Sequence, residues 1–98
     1  MYSIDDLLAL VRTEHAEELR LRVGYPPVMV LRGEDYPVEG PALTVQGADD
    51  LLRSIANTRQ MRELRDSGFI DFIYTFRNAS PFLVHATLED EIISLRLR

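Results

Sequence analysis

The sequence contains no cysteine and no lysine. The first absence removes thiolate nucleophiles, disulfides and most structural zinc schemes. The second removes any Gly-x-x-x-x-Gly-Lys-Ser/Thr phosphate loop, so this chain by itself is not a P-loop ATPase. All 11 basic residues are arginine; genomic base composition is the simpler cause, but the consequence is a supply of planar forks suited to carboxylates and phosphates. A basic surplus is missing as well, and a formal net charge of -5 argues against a dedicated nucleic-acid binder. No apolar run approaches the roughly 20 residues of a membrane span and no basic-then-apolar leader opens the chain, so a cytoplasmic protein without membrane insertion is expected.

What is present is an ordinary globular composition, with 46% apolar and 28% charged residues in a chain of 98. That length makes one domain, 1–98, able to bury about 65% of its unfolded surface around one modest core. Ser3 is placed to cap a helix from Ile4 to His15, with Tyr2 set to staple onto Leu7. Its Ile4, Leu7, Leu8 and Val11 form one apolar stripe.

The stretch from Ala16 to Gly33 reads as two strands joined at Gly24-Tyr25-Pro26-Pro27. Leu19, Leu21 and Val23 alternate with Arg20 and Arg22, one face apolar and the other cationic. Pairing stops at the prolines and restarts at Val28. Arg32-Gly33-Glu34-Asp35 is a turn signal, and Tyr36 to Glu39 is read as a short edge strand. Thr44 is the expected cap of a second helix burying Val45, Ala48, Leu51, Leu52 and Ile55. Thr58 is the expected cap of a third, with Met61 and Leu64 inward and Gly68 as its left-handed terminator.

After Gly68 the period changes to two. Ile70, Phe72, Tyr74 and Phe76 alternate with Phe69, Asp71, Ile73, Thr75 and Arg77. Asn78-Ala79-Ser80-Pro81 turns the chain into a strand with Phe82, Val84, Ala86 and Leu88 inward, and Glu89-Asp90-Glu91 turns it into a last strand, Ile92 to Arg98. The expected fold is α+β, in the order α-β-β-(β)-α-α-β-β-β, with helices packed on one face of an antiparallel sheet in a PAS-like layout. The opposite face would then carry Arg20, Arg22, Asp71, Ile73, Thr75, Leu83, His85 and Thr87. Ile73 and Leu83 read equally well there as interface anchors and as scattered surface residues.

Catalytic chemistry finds little support. His85 has no nucleophile in a recognisable motif beside it, and His15 at a helix C-terminus is explained by the macrodipole. Asp5/Asp6 and Asp49/Asp50 lie in first helical turns, and Glu89-Asp90-Glu91 lacks the ligand spacing of a calcium loop. No catalytic residue and no metal ligand is expected. Arg59, Arg62 and Arg65 read as a solvated helix side.

Several motifs taken together resemble the N-terminal domain of the PilT-like family of type IV pilus retraction and type II and type IV secretion ATPases. These are Ala16-Glu-Glu-Leu-Arg-Leu21, Gly24-Tyr-Pro-Pro27 with a strand ending in Arg32-Gly-Glu34, Leu43-Thr44 opening a helix, and Ser67-Gly-Phe-Ile-Asp-Phe-Ile-Tyr-Thr-Phe76. Phe82-Leu-Val-His-Ala86 and a closing Ile93-Ser-Leu-Arg96 complete them. The resemblance covers the whole chain in order. It implies a non-catalytic domain that precedes a RecA-like motor in a hexamer, mediates subunit and interdomain contacts and relays nucleotide-driven motion in twitching motility or secretion. It implies Arg96 as a nucleotide contact, with Arg20, Arg22, Arg98, Ile73 and Leu83 at the interdomain seam. Leu83 stands where the family has an arginine, and Arg20 where it has a histidine. The chain carries no cofactor on this reading; ATP would lie at the seam only where a motor domain follows. The alternative is a free-standing adaptor, secretion-chaperone-like or PAS-like regulatory domain that binds a protein or small ligand. Self-association of the isolated domain stays open on either reading.

Overall fold

A computed structural model describes residues 2–77 and 80–98. Helix α1 spans Ile4–Glu14, with the Ser3 hydroxyl accepting from the Asp6 N–H and His15 closing it at φ 56. Strands β1 (Glu18–Arg22), β2 (Val28–Leu31) and β3 (Glu34–Pro37) follow, then helices α2 (Val45–Arg53) and α3 (Thr58–Ser67), then β4 (Phe69–Phe76), β5 (Ser80–Glu89) and β6 (Ile92–Leu97). The expected element order holds throughout. The six strands form one antiparallel sheet in the order β3-β2-β1-β6-β5-β4, so the first and last strands of the chain's β segments meet at its centre.

Period-two burial decides how the sheet is used. Leu19 and Leu21 from β1, Leu95 and Leu97 from β6, and Val84 and Ala86 from β5 are buried on one face. There α2 packs on β6, α3 on β4 and β5, and α1 on β1. Leu8, Leu52 and Leu64 fill the space between the layers. A one-residue slip in any central pair would carry these leucines to solvent, which is why the register is held.

Four local details differ from expectation. The hairpin between β2 and β3 turns on Arg32 and Gly33 alone, both at positive φ (52 and 77), so pairing resumes at Glu34 and the edge strand is Glu34–Pro37 rather than 36–39. A two-residue turn of this hand matches the twist of the flanking strands better than a wider one. The cap of α3 is Asn57, not Thr58. Its side chain accepts from the Gln60 N–H at 2.8 Å while the Gln60 side chain accepts from the Asn57 N–H at 2.9 Å, a reciprocal box in which Thr58 is already helical. Val45 in the first turn of α2 is 49% exposed, and Ile55 lies beyond that helix and is half-buried, because only Ala48, Leu51 and Leu52 of this stripe reach the sheet. The expected turn before β5 falls partly on Asn78 and Ala79, outside the described residues; β5 itself begins at Ser80.

Two other local expectations stand as read. Thr44 caps α2 by accepting from the Gly47 N–H at 2.9 Å, and Gly68 ends α3 at φ 86, a conformation glycine adopts without penalty. The Tyr2 hydroxyl donates to the Pro41 carbonyl at 2.6 Å and lies against Gly40, where a Cβ would meet it at 2.5 Å. The chain ahead of α1 is thereby tied to the segment ahead of α2.

Candidate functional site: the open face of the sheet

The face turned away from the helices is built by the register. Arg20 on β1 stands opposite Arg96 on β6, Arg96 opposite His85 on β5, and His85 opposite Asp71 on β4, one polar row across four strands. The neighbouring row runs Arg22, Ser94, Thr87, Phe69. Between them is an open concavity of about 400 Å³ lined by Arg20, Arg22, His85, Thr87, Ser94 and Arg96. Three arginine forks and two hydroxyls form a surface suited to an anion or to a partner's carboxylates.

The arginines are not equivalent. Glu18, only 8% exposed, accepts from Arg98 Nε at 2.9 Å through one carboxylate oxygen and from Arg20 Nε through the other. Burial works against its charge, but the hydrogen bonds and charges of Arg20 and Arg98 outweigh it and hold the carboxyl below the ordinary glutamate range. Arg20 also lies 3.6 Å from Asp35. Arg22 stands over the Tyr25 ring with its guanidinium carbon 5.1 Å from the centroid. Arg96 is exposed and, among the described residues, has no carboxylate within ion-pair distance. It is the arginine best placed to meet a ligand without giving up an internal partner.

All six residues expected at a nucleotide contact or interdomain seam, Arg20, Arg22, Arg96, Arg98, Ile73 and Leu83, lie on this face. Ile73 (68% exposed) and Leu83 (50% exposed) are cross-strand neighbours on β4 and β5, so the two apolar side chains are one patch rather than two scattered residues. They share a cross-strand row with Arg98 and lie one row from Arg20 and Arg96.

Two features escaped sequence reasoning. The Glu18 bridge joins residues 80 apart, and only the Glu18-x-Arg20 spacing, which puts both on one face of a strand, signalled half of it. His85 Nδ1 lies 2.7 Å from Asp71 Oδ1 across the β4–β5 pair. That aspartate orients the imidazole, and Arg96 flanks its other side.

A second concavity, about 600 Å³ and open to solvent, lies at the other layer, where the starts of α1 and α2 approach Tyr74. Ile4, Leu43, Leu51, Tyr2 and Tyr74 make it mainly apolar, and Asp5 and Asp50 add negative charge. The Tyr74 hydroxyl donates to Asp5 at 3.4 Å; burial first, and then that carboxylate, raise its pKa above the usual phenol value. Among the described residues no helix is long and apolar enough to cross a membrane.

Comparison with solved structures gives several likenesses over nearly the whole chain, three of which follow. The pilus retraction motor PilT with bound ADP superposes with a TM-score of 0.90 at 20% identity, over 100% of this chain and 29% of that one. The Legionella pneumophila ATPase DotB gives 0.83 at 23% identity, over 99% of this chain and 29% of its own. The Yersinia pseudotuberculosis ATPase DotB gives 0.77 at 11% identity, over 96% and 28%. The fold is therefore one found within these ATPases, and the chain spans less than a third of their length. No family model and no curated protein matches the sequence.

Proposed function

We propose that this chain is the non-catalytic N-terminal domain, or a stand-alone homologue, of a bacterial ATPase of the type IV pilus retraction and secretion kind. Its work is mechanical. The helix-covered core makes the sheet a stiff plate, and the open face, with its arginine row and the Ile73–Leu83 patch, is the surface that meets a motor domain or a neighbouring subunit of a hexamer in the cytoplasm. A plate held at the seam between subunits relays the closure that nucleotide binding drives in the motor. Arg96, exposed and without an internal ion pair among the described residues, is the residue that would contact ATP at that seam. Arg20 and Arg98 already share Glu18 and serve to shape the surface, Arg22 to extend its charge. The observation that carries this reading is the superposition of the whole chain, with a TM-score of 0.90, on part of a pilus retraction motor.

The test begins with an immunoblot of the source cells using an antibody against this domain. A band several-fold heavier than 11.2 kDa is expected. In that full-length protein Arg96→Ala should lower ATP turnover on the order of 10²-fold while leaving the fold intact. A band at the mass of this chain alone removes the motor, and unchanged turnover in the variant removes the nucleotide contact.

The open concavity of about 600 Å³ beside Tyr74 favours a second reading, a free-standing regulatory or adaptor domain that takes a small ligand there. Protection of Tyr2 and Tyr74 ring signals on adding a fragment library, with the open sheet face unaffected, would favour it over the first.

A further inference from the structure

The two edges of the sheet are finished differently. The outer strand at one end, β3, is four residues long and carries Glu34, Asp35 and Pro37, with every residue exposed. Short length, charge and proline are the usual ways of discouraging strand addition. The outer strand at the other end, β4, is eight residues long, with no proline and a single charge, Asp71, which His85 already engages. Apart from that one engaged aspartate it has none of those devices.

The backbone of that edge is open. Leu83 exchanges both of its hydrogen bonds with Arg98, and the Leu88 N–H donates to the Gly68 carbonyl, so alternate residues of β5 face β6 and β4. With Ile70 opposite Ala86 and Phe72 opposite Val84, the even-numbered residues of β4 bond to β5. Phe69, Asp71, Ile73 and Thr75 therefore turn their N–H and C=O groups outward. Among the described residues none of these groups has a partner. Helix α3 stands beside the start of the strand, where Asn57, Gln60 and Glu63 border Ile70 and Asp71. The most accessible stretch is thus Asp71 to Thr75, centred on Ile73, whose side chain is also the most exposed large apolar one in the described chain at 68%.

We infer that β4 is a self-association edge, taking the β4 strand of a second copy of this chain in antiparallel register about a two-fold axis at Ile73. The strand complements itself in that register. Ile73 meets Ile73 of the second copy, covering the exposed apolar side chain, and Asp71 meets Thr75, so no like charges stand opposite one another. About six new backbone hydrogen bonds form between the hydrogen-bonded pairs. The two sheets become one, and an isologous contact of this kind closes on itself as a dimer. Each chain brings a formal charge of -5, so the dimer forms more readily as salt rises, opposite to an association held by ion pairs. The inference rests on the backbone edge and does not depend on the seam proposed for the open face.

Sedimentation equilibrium of the full 98-residue chain at low and moderate salt tests it. The expected species at high concentration is twice 11.2 kDa, with the dimer fraction increasing with salt. Thr75→Pro deletes one outward N–H and leaves the β4–β5 ladder intact; it should weaken dimerisation at least about tenfold with an unchanged circular dichroism spectrum. Ile73→Lys, which alters no backbone group, should do the same and serves if the proline variant fails to fold. The chain has no cysteine of its own, so Ile73→Cys is a single-thiol probe. In this register the opposed Cα atoms are about 5.5 Å apart, inside the range of a disulfide. Oxidation should give a covalent dimer, whereas Leu83→Cys, on the same face one strand inward, should stay monomeric. A monomer at all concentrations up to about 1 mM would overturn the inference. So would a Leu83→Cys variant that cross-links as fast as Ile73→Cys, which would mean that faces rather than edges meet.

Discussion

Leu95 is 1% exposed and its neighbour Arg96 stands in solvent, and the same division runs through every central strand of this sheet. On the helix side the side chains are mainly Leu, Ile, Val, Ala and Phe, with Ser80 and the hydroxyl of Tyr74 as polar exceptions. On the other side most are Arg, Glu, His, Asp, Thr and Ser, with Phe69, Ile73 and Leu83 among the apolar exceptions. The first face holds the domain together. The second contributes little to stability and is free to carry recognition, so substitutions on the two faces should separate stability from function.

The largest separation is expected between two leucines. Leu95→Ala removes a buried side chain between β6 and α2 and should cost about 2–5 kcal/mol in a urea titration, enough to leave much of the protein unfolded. Leu83→Ala, the same change on the open face, should stay within about 0.5 kcal/mol. Equal losses would mean that the open face is covered in solution.

The next test lies at the boundary between the faces, where Glu18 is buried although it points to the open side. Glu18→Gln keeps the shape and removes the charge shared by Arg20 and Arg98. It should cost about 1–2 kcal/mol at neutral pH, a modest figure because both arginines are substantially solvated. Its folded pKa is lowered, so the contribution is complete above the ordinary glutamate range and is lost as pH falls through the folded value. The stability gap between wild type and variant should accordingly close on acidification, as followed by thermal melts at a series of pH values.

The smallest effect belongs to the exposed His85–Asp71 pair. Asp71→Asn should change stability by no more than about 0.5 kcal/mol, since the aspartate side chain is 52% exposed. Any larger change would show that the row Arg20, Arg96, His85, Asp71 acts as a coupled unit rather than as separate surface charges.

Much of this division is legible along the chain because strand periodicity is a local property. Leu19, Leu21 and Arg20, Arg22 sort themselves by alternation alone, as do Phe82, Val84, Ala86 and Leu83, His85. Capping at Ser3 and Thr44 is equally local. At α3 the competition between Asn57 and Thr58 was settled by Gln60, which can return a hydrogen bond only to Asn57. The bounds of the edge strand were missed for a similar reason: Arg32 adopts positive φ, which no rule for arginine would favour, because β2 and β3 need a two-residue turn to stay in register. The Glu18 bridge to Arg98 was not legible, since nothing in either sequence neighbourhood states that β1 and β6 lie side by side.

The order of the elements, the face each strand buries and the scarcity of catalytic groups were determined by the sequence by itself, because they depend on residue type and on spacings of two to four positions. Which strands are neighbours was decided only by the tertiary structure. The placement of β6 between β1 and β5 aligns Arg20, Arg96 and His85, leaves β3 and β4 as the two edges, and forces Asp90 and Glu91 into left-handed conformations at φ 51 and 66. That turn has no glycine to ease it. Burial of Ile93, Leu95 and Leu97 against the helices sets the register and outweighs the local strain of the turn, a balance that exists only once the chain has closed on itself.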